Sequence, residues 1–337
     1  MLYKYLLEFG LNDKEIELIM NRNILYRYNE ETLYNKLRAN CNYLLELGYT
    51  KEEIKKFMFV RSFLFTYRVS IIEDKVNNMI NLGYSIEQLR KISIKHQAIF
   101  WLSVDNISSK RIFFKELGFN DEEINIMTIK YPAMYSFSEN TISGKVEYLN
   151  ELGYSNKNIV KMVRNMPEIF SLSLDMIRDK FDELIKIGYS NEQIIKMTSN
   201  HSALYSLSIN YIKNKFNELL LMGFNDEEII RMTVKFPSLY SLSIENIRVK
   251  KEFYDMIGLS DVMILEPKYL MQSIDLSYAR YMFLKGIGFN INMRNYRILF
   301  MGQKQFEKRF GKNNGQLIML YNYNEYLENR YSVRRKR

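Results

Sequence analysis

The chain has 337 residues, 47% hydrophobic and 26% charged, so composition points to neither disorder nor a membrane bundle. One cysteine, Cys41, and two histidines leave no disulfide framework, no cysteine-based zinc site and little for nucleophilic chemistry, so no metal and no cofactor is expected. The net charge of +9 is uneven: residues 290–337 hold eleven basic and three acidic side chains, whereas residues 1–289 stand at 37 against 36.

The N-terminus, MLYKYLLEFGLNDKE, lacks the apolar run of a secretory signal and the Arg- and Ser-rich character of a transit peptide. With a lone free cysteine, a cytoplasmic location is expected. The abundance of Lys, Asn, Ile, Tyr and Phe suggests an AT-rich, bacterial genome. No stretch approaches the ~18 uncharged apolar residues of a spanning helix, so no membrane partner is expected.

Residues 1–47 form a divergent N-terminal capping repeat that keeps Lys36 and Leu37. Residues 48–257 hold six regular 35-residue repeats, marked by Gly48, Gly83, Gly118, Gly153, Gly188, Gly223 and Gly258. After each glycine comes an N-cap (Thr50, Ser85, Asn120, Ser155, Ser190, Asn225). In five repeats Glu or Gln follows three residues later, the pattern of a capping box. A first helix with apolar residues at i, i+3, i+4 spacing, such as Ile54, Phe57 and Met58, should then run toward Pro132, Pro167 or Pro237 where these occur. A short apolar turn and a second cap (Ser103, Ser138, Ser173, Ser208, Ser243) precede the second helix and its column of isoleucines, Ile107 to Ile247. Neither helix can bury its stripe alone, so the fold class is all-α, an α-solenoid of stacked repeats. Residues 258–289 are a shortened repeat, and 290–337 are basic C-terminal helices and a tail.

No phosphate-binding or catalytic motif is present, and acid pairs such as Glu122-Glu123 suit a helix N-terminus. No catalytic residue is assigned; the chain is not expected to be an enzyme. Three polar columns repeat. Lys75, Lys110, Lys145, Lys180, Lys215 and Lys250 recur once per second helix, about 60° from the apolar centre at 100° per residue. Such a stripe could hold backbone phosphates, with Arg334, Arg335, Lys336 and Arg337 of the tail; lysines lining the core edge would show the same pattern. Lys56, Lys91, Lys161, Lys196 and Arg231 lie on the first helices, four of them placed for i,i+4 pairing with a glutamate, which explains that column without function. At the end of the first helix stand Arg61, Lys95-His96, Lys130-Tyr131, Asn165, Asn200-His201 and Lys235, variable enough to be groove or base contacts, or simply an unconstrained loop.

The pattern LG-[YF]-[SN]-x-x-x-I-x-x-M-x-x-x-x-P-x-[LI]-[YF]-S-[LF]-S resembles the repeat of mitochondrial transcription termination factors, the mTERF-like proteins. It is clearest at 118–138, 153–173 and 223–243. The resemblance implies a non-enzymatic helical-repeat protein that binds double-stranded DNA or RNA. The prolines are missing from the repeats holding Ser62, Gln97 and Ser202. Ser190–His201 is also similar to the first helix of a TAL-effector repeat, with Asn200-His201 at the base-reading pair but Ser202-Ala203 in place of a Gly-Gly. The expectation is a monomeric nucleic-acid binder, DNA before RNA, with a transcription-related role. A protein–protein scaffold and an RNA-binding repeat protein remain the alternatives.

Overall fold

The computed structural model describes residues 1–22, 25–60, 63–100 and 102–323, and every element in it is helical. The chain forms two compact units, Met1–Leu174 and Asp175–Arg337.

In the first unit α1 (Leu2–Glu8), α2 (Asp13–Met20) and α3 (Glu30–Glu46) form the divergent start. Then come α4 (Lys51–Val60), α5 (Phe63–Thr66), α6 (Val69–Asn81), α7 (Ile86–Lys95), α8 (Val104–Glu116), α9 (Asp121–Lys130), α10 (Glu139–Glu151) and α11 (Asn156–Asn165). Helix α12 (Leu174–Ile187) leads into the second unit, with α13 (Asn191–Asn200), α14 (Ile209–Leu221), α15 (Asp226–Lys235), α16 (Ile244–Met256), α17 (Val262–Leu265), α18 (Ile274–Gly286), α19 (Gln303–Phe310) and α20 (Asn314–Leu320). First helices pack side by side: α7 on α9 and α9 on α11 in one unit, α13 on α15 and α15 on α17 in the other.

The boundaries follow from local chemistry. Capping boxes close at Ser85/Gln88, Asn120/Glu123, Ser190/Gln193 and Asn225/Glu228, each pairing two backbone donors that a helix start would otherwise leave open. At Gly83 (φ +91°) the chain turns left-handed, so the Tyr84 amide reaches back to the Met79 carbonyl and ends α6. First helices end on an extended residue and pass into a 3-10 turn, as at Tyr131 (φ −140°) before Pro132–Ser136. His96 and His201 adopt the same backbone without a following proline, at φ −144° and −140°. The apolar register of the turn, which buries Ile99 and Phe100 or Leu204 and Tyr205, therefore suffices to form it. In the shortened repeat the five missing residues come out of the first helix, leaving four-residue α17.

The core is a repeated layer of Ile, Met, Leu and Phe: Ile107, Ile142, Ile177, Ile212 and Ile247 are all buried. Polar contacts join repeats at a fixed spacing. Tyr49 meets Ser93 at 2.7 Å, Tyr84 meets Thr128 at 2.8 Å and Tyr189 meets Thr233 at 2.6 Å, each forty-four residues on. Where the first position is Phe119, the residue forty-four later is Val163, and both are buried. Hydroxyl meets hydroxyl and apolar replaces both, which avoids an unpaired buried donor.

Candidate nucleic-acid interface

The lysine column of the second helices is turned onto the backbone and does not form an exposed stripe. Each amine donates to a backbone carbonyl of the next repeat: Lys75 to Leu102 (2.6 Å), Lys110 to Phe137, Lys145 to Phe170 (2.7 Å), Lys180 to Leu207, Lys215 to Leu242 and Lys250 to Leu270. Lys75 and Lys145 are half-buried, and the other four are between 3% and 8% exposed. The acceptors close the 3-10 turn just before the second helix, where the strand of backbone has no helical partner for its C=O groups. A long side chain lying along the core edge brings its ammonium there. Burial lowers the pKa of Lys75, Lys110, Lys145 and Lys180 and pushes Lys250 down to about 8.

Two residues missed in the sequence complete the column. Asn40, eight residues before Gly48 as Lys75 is before Gly83, donates to the Leu64 (2.8 Å) and Tyr67 (3.1 Å) carbonyls. Arg280, eight before Gly288, donates to Leu299 (2.9 Å) and Met301 (2.7 Å) and is fully buried against the Phe306 ring. A neutral amide brings no charge to a phosphate, but it donates to a carbonyl as lysine does, and that was the signal available in the sequence.

At the ends of the first helices a second set of cations bridges repeats. Twelve residues after the repeat glycine, Arg22 donates to Met58 (2.8 Å), Lys95 to Ile129 (3.0 Å), Lys130 to Arg164 (2.8 Å) and Lys235 to Leu265. Each caps the C-terminal carbonyls of the following first helix, the negative end of its dipole. Unlike the buried column, Lys95, Lys130 and Lys235 are exposed, as are Asn165 and Asn200. The next position is turned inward. His201 sits between Ser238 (3.4 Å) and Ser241 (3.1 Å) of the next repeat, His96 lies 3.4 Å from Ser136, Tyr131 stacks on Phe137 and Met166 is buried. Burial lowers the pKa of both imidazoles. These side chains hold repeats together, and His96, Tyr131 and His201 are partly buried. Arg61, Arg334, Arg335, Lys336 and Arg337 lie outside the described residues.

The first-helix column behaves differently from its sequence reading too. Of the four i,i+4 pairs, Lys91–Glu87 forms at 2.7 Å, whereas none forms at Lys56, Lys196 or Arg231 among the described residues. Lys161, Lys196 and Arg231 are exposed.

Among the described residues no three His, Cys, Asp or Glu side chains gather as a metal site, and no helix is long and apolar enough to cross a membrane. Stacked two-helix repeats with exposed cations on their first helices define an all-α solenoid. The sequence matches the model of the family described as mTERF over residues 2–196 and 135–307. The chain therefore belongs to the mTERF family. A search of curated proteins finds no match.

Proposed function

We propose that this chain is a non-enzymatic binder of double-stranded nucleic acid, DNA in preference to RNA, acting in transcription or its regulation. Duplex phosphates dock on the first helices, on Lys91, Lys161, Lys196 and Arg231 and the helix-end lysines Lys95, Lys130 and Lys235. The basic run from Arg334 to Arg337 adds non-specific attraction. Family membership supports the ligand class. The observation that carries the choice of surface is the exposure of the first-helix cations, set against a second-helix column that is buried or half-buried.

The test is a salt titration of binding to random-sequence duplex DNA, with duplex RNA and single strands as competitors. Each phosphate contact adds about 0.9 to the slope of log K against log salt. Changing Lys91, Lys161, Lys196 and Arg231 to alanine should lower the slope by roughly 3 to 4. Lys215→Met should leave it unchanged. Binding without salt dependence, or a slope that falls only in the Lys215 variant, refutes the reading.

A further inference from the structure

In the first unit, the glutamate that closes a first helix's capping box also faces the next first helix and neutralises a cation there. Glu15 meets Lys55 at 3.0 Å, Glu53 meets Arg90 at 3.1 Å and Glu123 lies 3.9 Å from Arg164. The carboxylates are held below their usual range at Glu15 and Glu53, first by the backbone amide of the cap and then by the cation across the groove. Two of these positions carry glutamine instead. At Gln88 the facing helix α9 carries Ile126 where α15 carries Arg231, so that groove has one cation fewer, with Lys130 standing at the place of Lys235. At Gln193 the facing helix α15 offers Arg231 and Lys235, and Lys196 projects from α13 itself.

The groove between α13 and α15 is about 590 Å³ and is lined by Gly188, Gln193, Lys196, Glu227, Arg231 and Lys235 over Ile230 and Val234. Gly188 borders it, at the positive φ of +114° that ends α12. Gln193 still caps its helix, its amide oxygen accepting from Ser190 N–H at 2.9 Å, so the loss of charge leaves the cap intact. Glu227 is the single acid against three cations, and it makes no salt bridge with Arg231 among the described residues. An interrepeat groove that elsewhere neutralises itself is here left positive.

We infer that the α13/α15 groove is a dedicated phosphate seat, in which Lys196 and Arg231 grip one phosphodiester of the bound nucleic-acid backbone and Lys235 adds its charge from the rim. This deepens the function proposed above and rests on it. The specificity comes from a missing carboxylate, so the decisive variant restores it. Gln193→Glu keeps the capping box and supplies the internal partner that Glu15, Glu53 and Glu123 provide in the first unit. It should weaken duplex binding about five- to tenfold near 0.1 M salt and lower the salt slope by about 1, as Arg231→Ala should also do. Gln88→Glu makes the same charge change at the same cap, where the facing helix has Ile126 in place of Arg231, and should bind as wild type. Urea unfolding of all variants checks that the folds are equally stable. If wild type binds and Gln193→Glu binds equally well, or if Gln88→Glu is weakened as much, this inference fails while the proposed function stands. If wild type itself shows no salt-dependent binding, both fail.

Discussion

Replacing Lys250 by methionine keeps the length of the side chain and removes its amine, which isolates what a buried column member contributes. Lys250 is 3% exposed and donates to the Leu270 carbonyl, and burial brings its pKa from 10.5 down to about 8. A folded-state pKa below the unfolded one means that folding disfavours the ammonium. Below pH 8 both states hold the proton, and the folded state bears the full desolvation cost. Between pH 8 and 10.5 the unfolded chain binds more protons, so stability rises with pH. Integrated from pH 8 to 10, the wild type gains about 2 kcal/mol from this group. At pH 7 the methionine variant leaves a buried carbonyl unpaired, at ~1–3 kcal/mol, but is relieved of the charged group's burial, so its net loss is about 1 kcal/mol. Lys250→Met should therefore be destabilised by about 1 kcal/mol at pH 7 and by about 3 kcal/mol at pH 10. Urea unfolding of both proteins at fixed ionic strength across pH 7–10 measures the difference, in which tyrosine ionisation common to both cancels. A difference that stays flat or shrinks with rising pH refutes a desolvated amine at this position.

Two further predictions concern the joints between repeats. Ser93→Ala strands the Tyr49 hydroxyl in the core, where it has a 2.7 Å partner, and should cost ~1–3 kcal/mol; adding Tyr49→Phe should recover most of it, as the Phe119 and Val163 positions do naturally. A double-mutant cycle by chemical denaturation measures the coupling, and simple additivity of the two losses would count against the pairing. Glu53 has its pKa lowered, chiefly by the Thr50 amide and also by Arg90, so its contribution is present above the ordinary carboxylate pKa and fades as pH falls through the folded value. Glu53→Gln should thus be less stable than wild type at pH 7, by under about 1 kcal/mol, and equal to it near pH 3. Acid titration of the unfolding midpoint tests this, and a gap that persists at pH 3 would assign the effect to the cap alone.

Most of the fold was legible because each signal was repeated in register. A glycine every 35 residues, followed by an N-cap and a box residue, leaves one phase for every helix, and the structure realises it from α4 to α16. The first helix of the last repeat was less legible: a deletion of five residues shows that something shortens but not which element, and packing resolves it into the remnant α17. The polar columns were misread for a physical reason. Periodicity says that lysines align; it does not say whether each amine meets water or a carbonyl of the next repeat, because that acceptor is backbone and has no letter in the sequence. Asn40 and Arg280 were the available correction, since amide, ammonium and guanidinium share only the ability to donate. The first-helix column erred the other way. The i,i+4 spacing made pairing plausible, yet Arg231 and Lys196 leave their glutamates and face the groove.

The net charge of the repeats needs the same care. Residues 1–289 are balanced at 37 against 36, which argues for an unselective surface only if every charge is equally available. Six of the cations are column lysines buried or half-buried against backbone carbonyls, so they add to the long-range field but are less available to a phosphate than the exposed cations of the first helices. Several acids are likewise committed, to capping boxes and to the grooves between first helices. What a polyanion meets is the remainder, and its sign is set groove by groove by the box residue together with the cations of the facing helix. A repeat protein built this way can place a phosphate seat at one repeat by a single Glu/Gln choice, without altering its stacking, its caps or its overall charge by more than one unit.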